Sequence, residues 1–236
     1  TQILQSTYLG GSGSDRAYAL AIHPTTGDVY VAGYTDSTNF PKTSGGAQGS
    51  YGGGTFDAFV ARLSADLKTL HQSTYLGGSS WDYTYALAVH PTTGDVYVAG
   101  ETNSTDFPNT SGGAQESKRG AFDAFVARLS ADLKTLHQST YLGGNRGDRA
   151  YALAIHPTTG DVYVAGYTES TDFPNTSGGA QGSYGGGTFD AFVARLSVNL
   201  TNGPILSISP TPTNGNVTSN PTGIYCGSGG SMCSAD

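Results

Sequence analysis

Apolar and polar residues alternate along short stretches of this chain, and the same stretches return at a fixed interval. Ala17–Ile22 reads AYALAI, with small alanines on one face and Tyr18, Leu20 and Ile22 on the other. A period of two marks a β-strand with two unlike faces. The turn HPTTGD follows, in which Pro24 fixes one backbone torsion and Gly27 tolerates positive φ. Val29–Tyr34 (VYVAGY), Asp57–Leu63 (DAFVARL) and Thr69–Leu76 (TLHQSTYL) are the next predicted strands, the last closed by Gly77 and Gly78. Helical periodicity is absent. SADLKTL suffices for one helical turn, but β-branched and aromatic residues flank it.

The interval is an internal repeat. QSTYLGG begins at Gln5, Gln72 and Gln138, HPTTGDVYVAG at His23, His90 and His156, and FDAFVARLS at Phe56, Phe122 and Phe189, so the copies lie 66 or 67 residues apart. Four antiparallel strands per unit is the pattern of a propeller blade. The expected fold is therefore all-β, a β-propeller built from three four-stranded blades, with a short C-terminal β segment. Repeats occupy 1–200, with units near 12–78, 79–144 and 145–200 and an N-terminal strand over 1–11; residues 201–236 form a linker and a partial small β module.

The run DAFVARLS, STYLGG, DRAYALAIHPTTGDVYVAGYT and STDFP resembles the SBBP family of bacterial β-propeller repeats over residues 1 to about 200. The resemblance implies a propeller and a mostly extracellular setting, and implies no particular reaction. The Gly/Ser/Thr-rich stretch Thr35–Thr55, long for a connection, departs from it and is expected to form a surface loop.

Thr1–Gly11 matches the fourth strand Lys68–Gly78, whereas the last unit ends with its third strand, Asp190–Leu196. The N-terminus thus carries a spare outer strand and the last blade lacks one. Pairing the two would close the ring and hide an edge. Three units are fewer than the four to eight blades of most propellers. The chain is thus a piece of a larger ring, half of a six-bladed ring of two chains, a donor of its N-terminal strand to a neighbour, or an isolated three-bladed ring. Assembly between chains or a longer parent is the favoured pair.

After Leu200 the repeat stops. Ile205–Ser209 and Val217–Ser219 read as short strands, and GIYCGSGGSMCSAD resembles the opening of a divergent internalin-type bacterial repeat. Cys226 and Cys233 are the only cysteines, and in an extracellular protein they are expected to form a disulfide.

Composition narrows the partners. Charged residues are 12% of the chain, net charge is -7, and no Lys/Arg cluster stands out, which argues against nucleic acid. No apolar run approaches membrane-spanning length. The chain opens on Thr1, which fits a processed chain or a fragment.

Candidate chemistry is sparse. His23, His90 and His156 end the presumed innermost strands, so a closed three-bladed ring would bring three imidazoles toward one axis, a candidate metal site; the favoured reading is a turn histidine bonded to a nearby carbonyl, because a larger ring would separate the three widely. Asp15, Asp82 and Asp148, with Asp36, Asp106 and Asp172 in Ser/Thr-rich loops, are candidate calcium ligands, without any EF-hand match. No other cofactor is expected. Asp28, Asp95 and Asp161 read as turn caps. Asp57, Asp123 and Asp190, each five residues before Arg62, Arg128 and Arg195, suggest structural bonding between strands or blades. Trp81 and Tyr83 occur only in the second unit and could stack on a sugar, anchor a partner or pack locally. Asn103, Asn109, Asn175, Asn199 and Asn216 lie in glycosylation sequons. No asymmetric acid/base pair, nucleophile elbow or phosphate loop is present. The expected function is a non-enzymatic extracellular structural or interaction module that self-associates or binds another surface protein or glycan, with a carbohydrate-binding propeller as the alternative and an enzyme behind both.

Overall fold

In the computed structural model residues 2–201 are described in full, and beyond them only the backbone of three short strands. The chain divides into two units, Thr1–Asn202 and Gly203–Asp236. Among the described residues there is no helix, so none is long and apolar enough to cross a membrane.

The first unit contains three antiparallel sheets. The first is β1 (Asp15–Ile22), β2 (Val29–Thr35), β3 (Asp57–Leu63) and β4 (Leu70–Leu76), paired in that order. The second repeats it as β5 (Asp82–Val89), β6 (Val96–Thr102), β7 (Asp123–Leu129) and β8 (Leu136–Leu142). The third has only β9 (Asp148–Ile155), β10 (Val162–Thr168) and β11 (Asp190–Leu196). The predicted strands are thus present within a residue or two. The expectation of three four-stranded blades is corrected to sheets of four, four and three strands that do not close into a propeller. Residues 2–11, expected as a spare outer strand, belong to no strand in the single chain, because without a bonded edge beside it an extended segment has no ladder.

Period-two alternation gives each sheet two apolar faces, and neighbouring sheets bury them against each other. The front of the first sheet (Tyr30, Ala32, Ala58, Val60) packs on the back of the second (Leu87, Val98, Ala127, Leu129). The front of the second (Tyr97, Ala99, Ala124, Val126) packs in the same way on the third (Val162, Val164, Phe192, Leu196). Polar contacts repeat with the packing. Tyr97 Oη donates to the carbonyl of Val198 at 2.7 Å, as Tyr30 Oη does to Ala131. The β3–β4 type of turn plugs under the long loop of the sheet before it: Ala47 N–H donates to Leu133 and Ala114 N–H to Leu200, both at 2.9 Å. Leu133 and Leu200 are fully buried at φ of 59° and 61°. That left-handed backbone costs a non-glycine residue about 1 kcal/mol, offset by burying a leucine, worth roughly 1.5–3 kcal/mol.

Each inner strand carries one bulge. Ala17 pairs with Gly33 and Ala19 with Ala32, so Tyr18 is the extra residue, and Tyr85 and Tyr151 sit in the same place. The bulge brings the backbone so close that a Cβ on Gly33 would lie 1.8 Å from the Arg16 carbonyl oxygen, which explains glycine there.

The Gly/Ser/Thr-rich connection between β2 and β3 is an ordered edge cover. It runs beside β4, with Ser73 N–H donating to Lys42 at 3.0 Å, Tyr75 N–H to Gln48 at 3.1 Å, and Gln48 N–H to Thr74 Oγ1 at 2.8 Å. Tyr75 Oη donates to Ser37 and accepts from Phe40 N–H. The second sheet repeats this with Asn109, Gln115 and Tyr141.

In the second unit β12 (Val217–Thr218), β13 (Ile224–Cys226) and β14 (Ser234–Ala235) form a three-stranded sheet. The strand read near Val217 is present. The strand over Ile205–Ser209 and the pairing of Cys226 with Cys233 lie outside the described residues.

Candidate functional site

The stack of sheets has two unequal open ends. At one, the back of the first sheet exposes Leu20 and Ile22. At the other, the front and outer edge of the third sheet expose Val193 at 75%, whereas its counterparts Val60 and Val126 are at 0%. The identical heptapeptide DAFVARL is buried except for one half-buried arginine in β3 and β7, and largely open in β11. Among the described residues the loop after β10 has no outer strand to cover, and residues 175–183 are exposed throughout. The spare segment beside the first sheet is exposed as well, with Tyr8 at 103%, whereas Tyr75 and Tyr141 are buried.

Residues 10–14 nevertheless hold the geometry of a link between sheets. Gly11 N–H donates to Asp15 Oδ2 at 2.9 Å, as Gly78 does to Asp82 and Gly144 to Asp148. Ser12 N–H donates to Asn39, as Ser79 does to Asp106 and Asn145 to Asp172. Leu9 packs against the back cluster of the first sheet.

These bonds also place the candidate calcium ligands. The carboxylates of Asp15, Asp82, Asp148, Asp36, Asp106 and Asp172 accept backbone N–H groups at the links. Burial pushes Asp82 up to about 7 and Asp148 up to about 6. Asp57, which accepts from Gly52 N–H, is likewise raised by burial, with nearby Asp82 adding to it, to about 7.

The histidines are not brought together. His23 Nδ1 faces the N–H groups of Thr25 and Thr26, and His90 and His156 repeat this in their own turns. The Nε2 edges of His23 and His90 abut Gly94 and Gly160 of the following sheet. Among the described residues no group of three or more His, Cys, Asp or Glu is arranged to hold a metal ion. The candidate triad of imidazoles is therefore not assembled in this chain: as in the favoured reading each ring is engaged by its own turn, although its Nδ1 meets N–H groups and not a carbonyl, and in an unclosed stack no axis gathers them.

Trp81 and Tyr83 belong to an aromatic run at one mouth of the stack. Trp81 is half-buried, 5.3 Å from Tyr83 and 5.8 Å from Phe122 between ring centres, and Tyr83 meets Tyr34 edge-on at 4.6 Å. Sequence reasoning missed the charged centre of this run. Arg149 lies over Phe122, Tyr167, Tyr85 and Tyr151 at 5.3–5.9 Å and pairs with buried Glu101. The signal was readable: VYVAGYT becomes VYVAGET only in the second unit.

The arginines predicted to bond structurally do so, with a different acid. Arg62, Arg128 and Arg195 pair with Asp28, Asp95 and Asp161 at 2.6 Å, so these aspartates hold arginines as well as turns. Of the sequon asparagines, Asn175 and Asn109 are exposed, both at positive φ. Asn103 is half-buried and bonded to Ser80, and Asn199 accepts from Arg128. Asn216 lies outside the described residues.

No protein-family model matches the chain, and no curated protein matches it either.

Proposed function

We propose that this protein is a non-enzymatic, extracellular interaction module that self-associates by blade and strand complementation. The observation that carries this reading is the heptapeptide DAFVARL, enclosed in β3 and β7 and open in β11. The same sequence has the same affinity for a covering strand and a facing sheet, and within the described residues β11 has neither a covering strand nor a sheet against its front face. Apolar surface buried in this way contributes roughly 25 cal/mol per Å², so both open ends favour a partner with the same repeat. The extracellular setting rests on the resemblance to SBBP repeats and on the low charge. Light scattering across a concentration series tests the reading. Mass should rise with concentration, and Val193→Asp should suppress the rise without changing the far-UV spectrum. A strictly monomeric native chain at every concentration would refute self-association.

A second reading, a carbohydrate-binding surface, is favoured by one feature, the half-exposed aromatic run around Trp81 and Tyr83. Aromatic faces flanked by Arg149 supply the stacking and donor groups that a sugar ring uses. Glycan-array binding lost in Trp81→Ala would support it, and an array without any binding would remove it.

A further inference from the structure

We propose that two copies of this chain close one six-bladed ring, each copy lending residues 3–9 as the outer strand of the other's third sheet. This rests on the self-association just argued and adds its stoichiometry, direction and register.

The direction follows from the links. Within the chain an outer strand always leads through a Gly-Gly turn, pinned by an aspartate, into the inner strand of the next sheet. Residues 10–14 already form that turn on Asp15. The segment before them therefore leaves the first sheet where the outer strand of a preceding blade would arrive. The occupant of the open back face is thus a blade that lacks its own outer strand, and the third sheet of a second copy is such a blade.

The register follows from the repeat. In the first sheet Phe59 faces Tyr75, Val60 faces Thr74 and Arg62 faces Gln72, and the second sheet repeats all three pairs. Carried to the junction, Phe192 faces Tyr8, Val193 faces Thr7 and Arg195 faces Gln5 of the other copy. Tyr8 then meets the Ser170 carbonyl and Phe173 N–H, as Tyr141 meets Ser104 and Phe107. Leu67, half-buried at φ 57°, plugs under Ala180 of the other copy as Leu133 plugs under Ala47.

The stoichiometry follows from blade number. The repeats of one chain supply three sheets. A ring of three falls below the four to eight of typical propellers and a ring of nine exceeds them, whereas two chains give six. Two equivalent head-to-tail junctions related by a two-fold axis leave no sheet end open.

The test combines Thr7→Cys with Val193→Cys in the full chain, under mild oxidation, with light scattering and peptide mapping of the crosslink. The expected result is twice the 24.2 kDa chain mass and, in most of the protein, a crosslink joining position 7 of one chain to position 193 of the other. Ser6→Cys with Val193→Cys, one residue out of register, should crosslink at least tenfold less. A dimer without the in-register crosslink overturns the strand exchange and leaves self-association standing. Open multimers with the crosslink overturn the closed ring. A monomer crosslinked within itself means three-bladed closure and overturns the exchange between copies. A monomer without crosslink removes the underlying reading as well.

Discussion

Arg149 on β9 donates through Nε to Oε2 of Glu101 on β6, at 2.6 Å, across the boundary between the second and third sheets. Glu101 is 1% exposed and also accepts from Tyr85 Oη at 2.7 Å. Both carboxylate oxygens are therefore engaged. In the other two sheets the position is Tyr34 or Tyr167, so the pair makes the second junction chemically distinct within the chain.

Removing one partner should be costly. In Arg149→Ala the Glu101 carboxyl would remain buried without its counter-charge, which costs about 3 kcal/mol, the low end of the range for a broken buried pair because Arg149 is partly solvated. Urea unfolding measures the loss. Adding Glu101→Gln should recover part of it, since the uncompensated charge is then gone. Equal stability of the single and double variants would contradict the pair's role.

Stability should depend on pH with one sign between about 4 and 7. Burial raises Asp57 and Asp82 to about 7 and Asp148 to about 6, and raises Glu101 and Asp123 in the same direction. In the unfolded chain these groups titrate near 4. Between the two values the native state holds more protons than the unfolded state, so stability falls as pH rises through this window and levels off above it. Melting temperature should thus be higher at pH 5 than at pH 8. Asp82→Asn should narrow the difference: the amide oxygen can still accept from Gly78 N–H and Ser104 Oγ without bringing a buried charge. A melting temperature that climbs from pH 5 to pH 8 would reverse the argument.

Much of this architecture was legible in the sequence, and its limits have physical causes. The AYALAI, VYVAGY and DAFVARL strands announce themselves because period-two alternation is a local property. Pairing partners are not local. Arg62 reads as a group that bonds between strands or blades, but its partner emerges only from the register, which sets Arg62 opposite Tyr30, beside Asp28. The connection after β2 has no apolar period, so nothing in it betrays that Gln48 lies along Thr74 and Tyr75. Glu101 stands out as a departure from the repeat, yet its partner Arg149 lies in the next sheet and emerges only from the packing. The histidines were legible as turn residues, because the ring that ends HPTT lies within reach of the N–H groups just after it, and each ring serves its own turn.

The tyrosines of the outer strands should separate folding from assembly. Tyr141→Phe strands the Phe107 N–H and the Ser104 carbonyl, both buried, and should cost about 1–3 kcal/mol. Tyr8 is fully exposed in the single chain, so Tyr8→Phe should leave the unfolding of dilute monomer unchanged. In the proposed ring it loses the same two bonds and should weaken association about fivefold or more. A concentration-dependent melting curve reads both effects.

The single glycine in each of the three HPTTGD turns offers a matched comparison. Gly27, Gly94 and Gly160 have φ of 74°, 76° and 75°, so alanine at any of them incurs similar backbone strain, about 1 kcal/mol. Their surroundings differ. A Cβ on Gly94 would lie 2.7 Å from His23 Nε2, and one on Gly160 would lie 3.0 Å from His90 Nε2 and 3.1 Å from Val198 Cγ2, whereas a Cβ on Gly27 would meet only Ala65 at 3.4 Å. Gly94→Ala and Gly160→Ala therefore displace a histidine of the preceding sheet and should lower the melting temperature of the monomer more than Gly27→Ala does. In a two-chain ring His156 of the other copy faces Gly27, so Gly27→Ala should act chiefly on association. Equal losses of monomer stability in all three variants, with association unchanged in Gly27→Ala, would show that no histidine approaches Gly27.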